Sequence, residues 1–304
     1  MVFQWNRADS TDRLSRIAGK GLCVGPMQQT RACGTTQVRI VCMYQFPFGQ
    51  PLQRVEQVPH TRARVFVLGV YSSAVHARWL GRDGKQRAAA LAVASEPYIF
   101  WRGEDGGAII DAIQIPPEAG RLIAADQRFN GPSGKSLDED YLAPLGLSRD
   151  DAWLCDLLPE SRMNERQAKR VLETYAPVAK ALGLPEATVP PVSTRYADRL
   201  RAEAILEELL ASGAETLITL GDPPLQEFVG ALSLGHPRLH MYGRHQGEYG
   251  KLHQFSIGGR HLQLLPLTHP RQARALGNSD KGWGDLHRHC VQHMASEIAG
   301  VVGR

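Results

Sequence analysis

Two apolar runs far apart in the chain each end in side chains able to do chemistry. The run VFVLGVYSSAVHARW, over 65–79, delivers Gly69, Val70, Tyr71, Ser72 and Ser73. The run HLQLLPLTHPRQ, over 261–272, delivers His269, Pro270 and Arg271, with Arg274 close behind. Each reads as a buried strand that stops abruptly, and in open α/β sheets ligands bind at the carboxyl ends of strands. Two such ends from opposite halves of a sequence can line one cleft, so the first expectation is an active site. Pro270 restricts His269 to an extended backbone, which aims its imidazole. A third run, WLCDLLP, drives an apolar strand directly into Asp156. A buried carboxylate is costly without donors. Asp156 is therefore expected to cap a turn, to pair with Arg162 or Arg166, or to face the cleft and accept hydrogen bonds from a ligand such as the exocyclic amine of cytosine.

The segment RFNGPSGKSLD, over 128–138, admits three readings. Gly-Lys-Ser suggests a phosphate-cradling P-loop and a phosphotransferase, but Phe129 stands where the leading glycine of that motif belongs. A glycine-rich turn capping a helix that starts near Ser136 is the plainest reading. In the third, backbone N–H groups with Ser133, Gly134 and Lys135 hold a phosphate while Phe129 stacks a base that has left its duplex. Asp222, after the strand end at Gly221, is expected to be a helix N-cap. The loop 271–283 mixes Arg271, Arg274 and Lys281 with apolar residues, and Leu276 is placed to wedge into a base stack.

To position these groups the chain needs strands, and β-branched apolar runs bounded by turn residues fall at 64–70, 96–101, 152–156, 215–220 and 261–267. Helical patterns lie between them at 164–182, 196–211 and 223–232, with a last helix over 285–299. Gly183 and Gly213 stand where C-caps belong. Continuous apolar strands alternating with helices predict an α/β fold: a three-layer α/β/α sandwich with a mostly parallel central sheet of four to five strands. Residues 43–304 are expected to form one domain, and 1–42, without hydrophobic period, an irregular or disordered extension. The 304 residues, 43% of them hydrophobic, suffice for a full core, and a net charge of +4 does not by itself indicate a partner. No apolar run reaches the roughly 18 residues of a membrane span and the amino terminus lacks an apolar signal core, so a cytoplasmic location is expected. The five cysteines contain no C-x-x-C pair and read as reduced thiols; neither a metal nor a cofactor is expected.

Taken in order, these segments resemble the uracil-DNA glycosylase superfamily over roughly 64–299. GVYSSA stands where the family has its catalytic motif, and Phe129 in FNGPSG matches its base-stacking phenylalanine. Asp156 falls at its strand-end asparagine, Leu220-Gly221 at its Leu-Gly strand end, and His269-Pro270-Arg271 at its closing His-Pro-Ser motif, followed by the intercalating loop. The resemblance implies a monomeric DNA glycosylase that hydrolyses the N-glycosidic bond of a flipped-out pyrimidine, with His269 stabilising the departing base. Ser72, Ser73, Ser133 and the 271–283 loop would then hold phosphates. Two departures bear on the substrate. No Asp, Glu or Asn occurs in GVYSS, leaving Tyr71 or Asp126 as candidates for water activation. Ionised Asp only accepts hydrogen bonds where Asn both donates and accepts. The expected target is therefore a damaged or cytosine-like modified base rather than uracil, in DNA repair or in defence against modified phage DNA. The alternative is a catalytically inactive relative that binds DNA or a nucleotide.

Overall fold

The computed structural model describes residues 44–57, 63–274, 281–293 and 295–302. The expected 1–42 extension and Leu276 lie outside these residues. At the centre is a five-stranded sheet in the order β5-β1-β6-β8-β7. Its strands are β1 (Val65–Tyr71), β5 (Ala152–Leu158), β6 (Thr216–Leu220), β8 (Arg260–Leu267) and the edge strand β7 (His253–Ile257). The first four run parallel and β7 pairs antiparallel with β8. Every residue of β6 and all but the last of β1 and β5 are buried. Both faces of the sheet are therefore covered, which is why these strands read as unbroken apolar runs rather than alternating ones. Pro266 is tolerated in β8 because the β7 ladder ends at Leu264, so no partner on that side needs its missing N–H.

A second, three-stranded antiparallel sheet interrupts the path from β1 to β5. It is ordered β3-β2-β4, with β2 (Ala74–Leu80), β3 (Gln86–Ser95) and β4 (Arg121–Ala124). Its own core gathers Trp79, Leu91, Trp101 and Ile110 with Phe48 and Tyr175. The expected strand over 96–101 is not formed: the ladder ends at Ser95 and the chain turns. The apolar run continues because Ile99, Phe100 and Trp101 are buried as a packed turn, and burial alone does not distinguish the two.

The helices stand close to their expected places. The 164–182 pattern folds as Glu165–Arg170, a wide turn Val171–Tyr175 and Ala176–Leu182. Asn164 caps it by accepting the Gln167 N–H at 3.0 Å. Pro177 offers no N–H to the preceding turn, which accounts for the widening before it. The helix Arg199–Ser212 starts later than expected, capped by Asp198, and both Gly183 and Gly213 adopt the left-handed C-cap conformation. No helix among the described residues is long and apolar enough to cross a membrane.

Candidate active site

The order of the parallel strands places a switch point between β1 and β6. From β1 the chain proceeds outward to β5, and from β6 outward to β8, so the crevice where ligands are bound in such sheets opens above the carboxyl ends of β1 and β6. Gly69 stands on β1, and Gly221 directly follows β6. Gly69 pairs with Asp156 in the β1–β5 register. A Cβ built on Gly69 would lie 2.2 Å from Asp156 Oδ1 and 2.7 Å from Phe100 Cζ. A Cβ on Gly221 would lie 3.2 Å from the Cβ of His269. The carboxyl from β5 thus leans inward over β1, and the imidazole after β8 leans inward against β6. The strands that carry them are three places apart, about 14 Å at about 4.8 Å per strand, with both groups leaning towards the β1–β6 gap.

Asp156 is 4% exposed, and among the described residues nothing hydrogen-bonds to its carboxyl. Arg201, on the helix Arg199–Ser212, instead donates to the carbonyls of Asp156 (2.7 Å) and Leu157 (3.0 Å), fixing the end of β5 from behind. Burial raises the carboxyl to about 7, with the Arg201 charge opposing. Neither Arg162 nor a turn takes up this carboxyl; Arg162 pairs with Glu160.

His269 keeps the extended backbone that Pro270 imposes, at φ −70° and ψ 143°. Its Nδ1 accepts the Arg271 N–H at 3.2 Å, so the ring proton resides on Nε2. Burial first, and the Arg271 charge second, lower the imidazole to about 4. At neutral pH His269 is therefore a neutral N–H donor. Tyr71 ends β1: its phenol is raised by burial and by Tyr196, lowered by Arg271 and raised by Asp156, and its ring stacks on Tyr196 at 5.7 Å. Ser72 is 1% exposed and its hydroxyl has no hydrogen-bond partner among the described residues.

The aromatic ring beside Asp156 is Phe100, not the Phe129 singled out in the sequence. Phe100 has a φ of 51°, a strained value for a bulky side chain. It is held there by Arg149, which donates to the Phe100 carbonyl at 2.7 Å while pairing with Asp138 at 2.7 Å. Phe129 faces His76 at 6.4 Å, with the Arg128 guanidinium 5.0 Å over its ring. Asn130 beside it completes the edge of β2, exchanging hydrogen bonds with the His76 backbone.

Other expected residues are engaged elsewhere. The helix of the FNGPSG segment begins at Pro132, earlier than Ser136, and is entered through Gly131 in the left-handed conformation. A Cβ on Gly134 would lie 2.2 Å from the Phe100 carbonyl oxygen and 2.4 Å from that of Trp101. Those negative dipole ends oppose a phosphate there and disfavour the P-loop reading; Lys135 donates to Gln127 at 3.4 Å. Arg274 is paired at 2.5 Å with both Glu139 and Asp140. Ser73 gives its N–H to the Glu96 carboxyl at 3.0 Å. Asp126 accepts the Arg128 N–H on the surface. Asp222 is not the N-cap, a position held by Gly221; its carboxylate accepts the Leu239 N–H at 2.7 Å instead.

Glu96 and Phe100 were missed by the sequence reading because the segment SEPYIFW passed as a strand. The Glu-Pro step at its head was the available signal of a turn. No family model matches the chain, and no curated protein matches it.

Proposed function

We propose that the chain hydrolyses the N-glycosidic bond of a pyrimidine rotated out of DNA into the crevice above β1 and β6. The observation that carries this reading is the juxtaposition at Gly69: a buried carboxyl without a partner and a strained aromatic ring meet where a side chain would otherwise be. Phe100 supplies a face for stacking the base, and Asp156 reads its edge. As the C1′–N1 bond breaks, its electron pair passes to the base. In this reading the His269 Nε2–H donates to the oxygen where this charge collects, and a neutral imidazole does so without having to lose a proton first. Water adds to C1′ and gives up a proton that ends on the released base. The uracil-DNA glycosylase resemblance of the sequence agrees with this assignment of His269 and Asp156.

The test is a panel of duplex and single-stranded oligonucleotides carrying uracil, hypoxanthine, 5-hydroxymethylcytosine or glucosylated cytosine, scored for abasic product. Excision of at least one modified base is expected, abolished by His269→Ala while DNA binding survives. No abasic product on any substrate would favour the second reading, a catalytically silent binding protein, which the lack of an acid in GVYSS supports. Excision of uracil as the preferred substrate would overturn the preference for a cytosine-like target.

A further inference from the structure

Thr268 follows the last residue of β8, precedes His269 and is fully buried. Alternate residues of a strand turn their N–H groups to the same side, so the Thr268 N–H points, like the nitrogen of Pro266, past the end of the β7 ladder. A buried amide left there without an acceptor would cost as much as a lost hydrogen bond. The hydroxyl of Tyr249, in the loop ahead of β7, supplies the acceptor: its oxygen takes the Thr268 N–H at 2.8 Å. At the other end of the same residue, the hydroxyl of Tyr141, in the wide helical turn Leu137–Leu142, donates to the Thr268 carbonyl at 2.7 Å. That carbonyl belongs to the peptide bond whose nitrogen is that of His269.

From Tyr249 the hydrogen bonds continue inward to His287, on the helix Lys281–His293. Its Nδ1 lies 2.9 Å from the Tyr249 hydroxyl and its Nε2 lies 2.9 Å from the Asp140 carbonyl. The two ends dictate every proton between them. A carbonyl only accepts, so Nε2 carries the ring proton and Nδ1 keeps a lone pair. An amide N–H only donates, so the Tyr249 oxygen accepts from Thr268 and its own proton goes to Nδ1. The series Thr268 N–H, Tyr249 O–H, His287 Nε2–H, Asp140 C=O therefore runs in one direction, and its members polarise one another. It requires a neutral imidazole. Burial lowers His287 to about 4, with Asp140 opposing, and holds the phenols of Tyr141 and Tyr249 well above their ordinary range. All three therefore stay uncharged at neutral pH. Tyr141 backs the arrangement, its ring 4.2 Å from that of His287.

We propose that Tyr249 and Tyr141 are positioning residues for His269: backed by His287, they lock the Thr268–His269 peptide so that the imidazole keeps one orientation and one tautomer at the crevice. The inference rests on His269 acting there on a bound base. Pro270 sets the backbone on the far side of His269, and the two hydroxyls set it on the near side. The neighbouring ties point the same way: Thr268 Oγ1 donates to Gln272 Oε1 at 2.8 Å, and the Gln272 N–H returns to the His269 carbonyl at 2.7 Å. Fastening the helix Lys281–His293 to the sheet would not in itself require both backbone groups of the residue before the imidazole.

The test uses the full chain and three variants, each removing one buried phenol oxygen while keeping the ring. Tyr249→Phe and Tyr141→Phe each remove one clamp; Tyr242→Phe, the control, removes a hydroxyl that donates to the His236 carbonyl at 3.0 Å. Nitrogen-15 NMR of the histidine rings, with the His269 signals identified by their loss in His269→Ala, is expected to show Nδ1 unprotonated and Nε2 protonated in the unmodified chain. Both clamp variants are expected to shift these signals towards the average of the two tautomers, whereas Tyr242→Phe leaves them in place at a comparable loss of stability. Unmoved His269 signals in either clamp variant would overturn the proposal whatever the enzymatic result, and so would an equal shift in Tyr242→Phe. On the best substrate the clamp variants are expected to lose about tenfold to a hundredfold in kcat with KM unchanged. An unchanged kcat, with or without a raised KM, would overturn the positioning role. Shifted signals, with no abasic product from the unmodified chain on any substrate, would leave the clamp standing and sink the glycosidase reading.

Discussion

Replacing Gly69 by alanine introduces one methyl group where three parts of the crevice meet. The new carbon would lie 2.2 Å from Asp156 Oδ1 and 2.7 Å from Phe100 Cζ, against an ordinary contact of 3.4 Å or more. The carboxyl must then move by about 1 Å, the scale on which misplaced groups lose roughly a hundredfold in rate. Neither neighbour yields freely: Arg201 pins the backbone of Asp156 and Arg149 pins that of Phe100. Overpacking of this kind costs about 1–3 kcal/mol. Stiffening of the unfolded chain returns about 0.4–1 kcal/mol, leaving a net loss on the order of 1–2 kcal/mol. The same substitution at Gly107, in the helix Gly106–Asp111 with nothing within 4 Å of the added carbon, should instead stabilise by about 0.5–1 kcal/mol. Denaturant unfolding of both variants, with kcat/KM on the best substrate from the panel, checks the pair. A Gly69→Ala variant with unchanged midpoint and unchanged kcat/KM would refute the assignment of this glycine as the floor of the site.

Stability should pass through a maximum slightly below neutral pH. His76, His269 and His287 are each lowered to about 4 by burial. The unfolded chain therefore binds more protons than the native one between about 4 and 6.5, and stability falls as pH drops through that window. Asp156 and Glu96 work in the opposite direction: the native state holds their protons longer, so stability declines as pH rises towards about 7 and 8. Unfolding midpoints measured across pH should show both limbs, and Asp156→Asn with Glu96→Gln should flatten the alkaline one. Phe100→Ala should weaken base recognition by the about 1–3 kcal/mol typical of a lost stacking partner, read as a raised KM for a short substrate. Phe129→Ala should leave that KM unchanged, and a larger effect from Phe129 than from Phe100 would reverse the choice between them.

The parallel strands were legible in the sequence because burial on both faces leaves continuous apolar runs, as in TLITL of β6. The ends of those runs placed Gly69, Asp156 and His269 correctly on one edge of the sheet, since the carboxyl end of a strand is readable wherever an apolar run meets a polar residue. The small sheet was not legible. Its strands β2 and β3 alternate weakly and carry arginine and glutamine, so they lacked the unbroken signature, and β4 is only four residues long. Phe100 was hidden for a related reason. Its partner is a glycine in β1, and proximity across a fold leaves no trace in local spacing. Phe129 is the conspicuous ring in the sequence because it adjoins a Gly- and Lys-bearing motif, whereas a left-handed phenylalanine is visible only in backbone angles. The ionisation of Asp156 was likewise beyond sequence, since it depends on how much water the fold removes.

The three-stranded sheet lies in the chain between β1 and β5, yet the turn after its strand β3 carries Phe100 back against Gly69 and Asp156 on those two strands. The main sheet brings Asp156 and His269, while the inserted module brings Phe100 and Glu96. Assembly of the crevice is therefore a docking event between two hydrophobic nuclei. On the folding pathway it is expected to come late, since contacts between segments distant in the chain form slowly. A lesion deep in the small sheet, such as truncation of Trp79, would then leave the larger nucleus intact while delaying or preventing completion of the crevice.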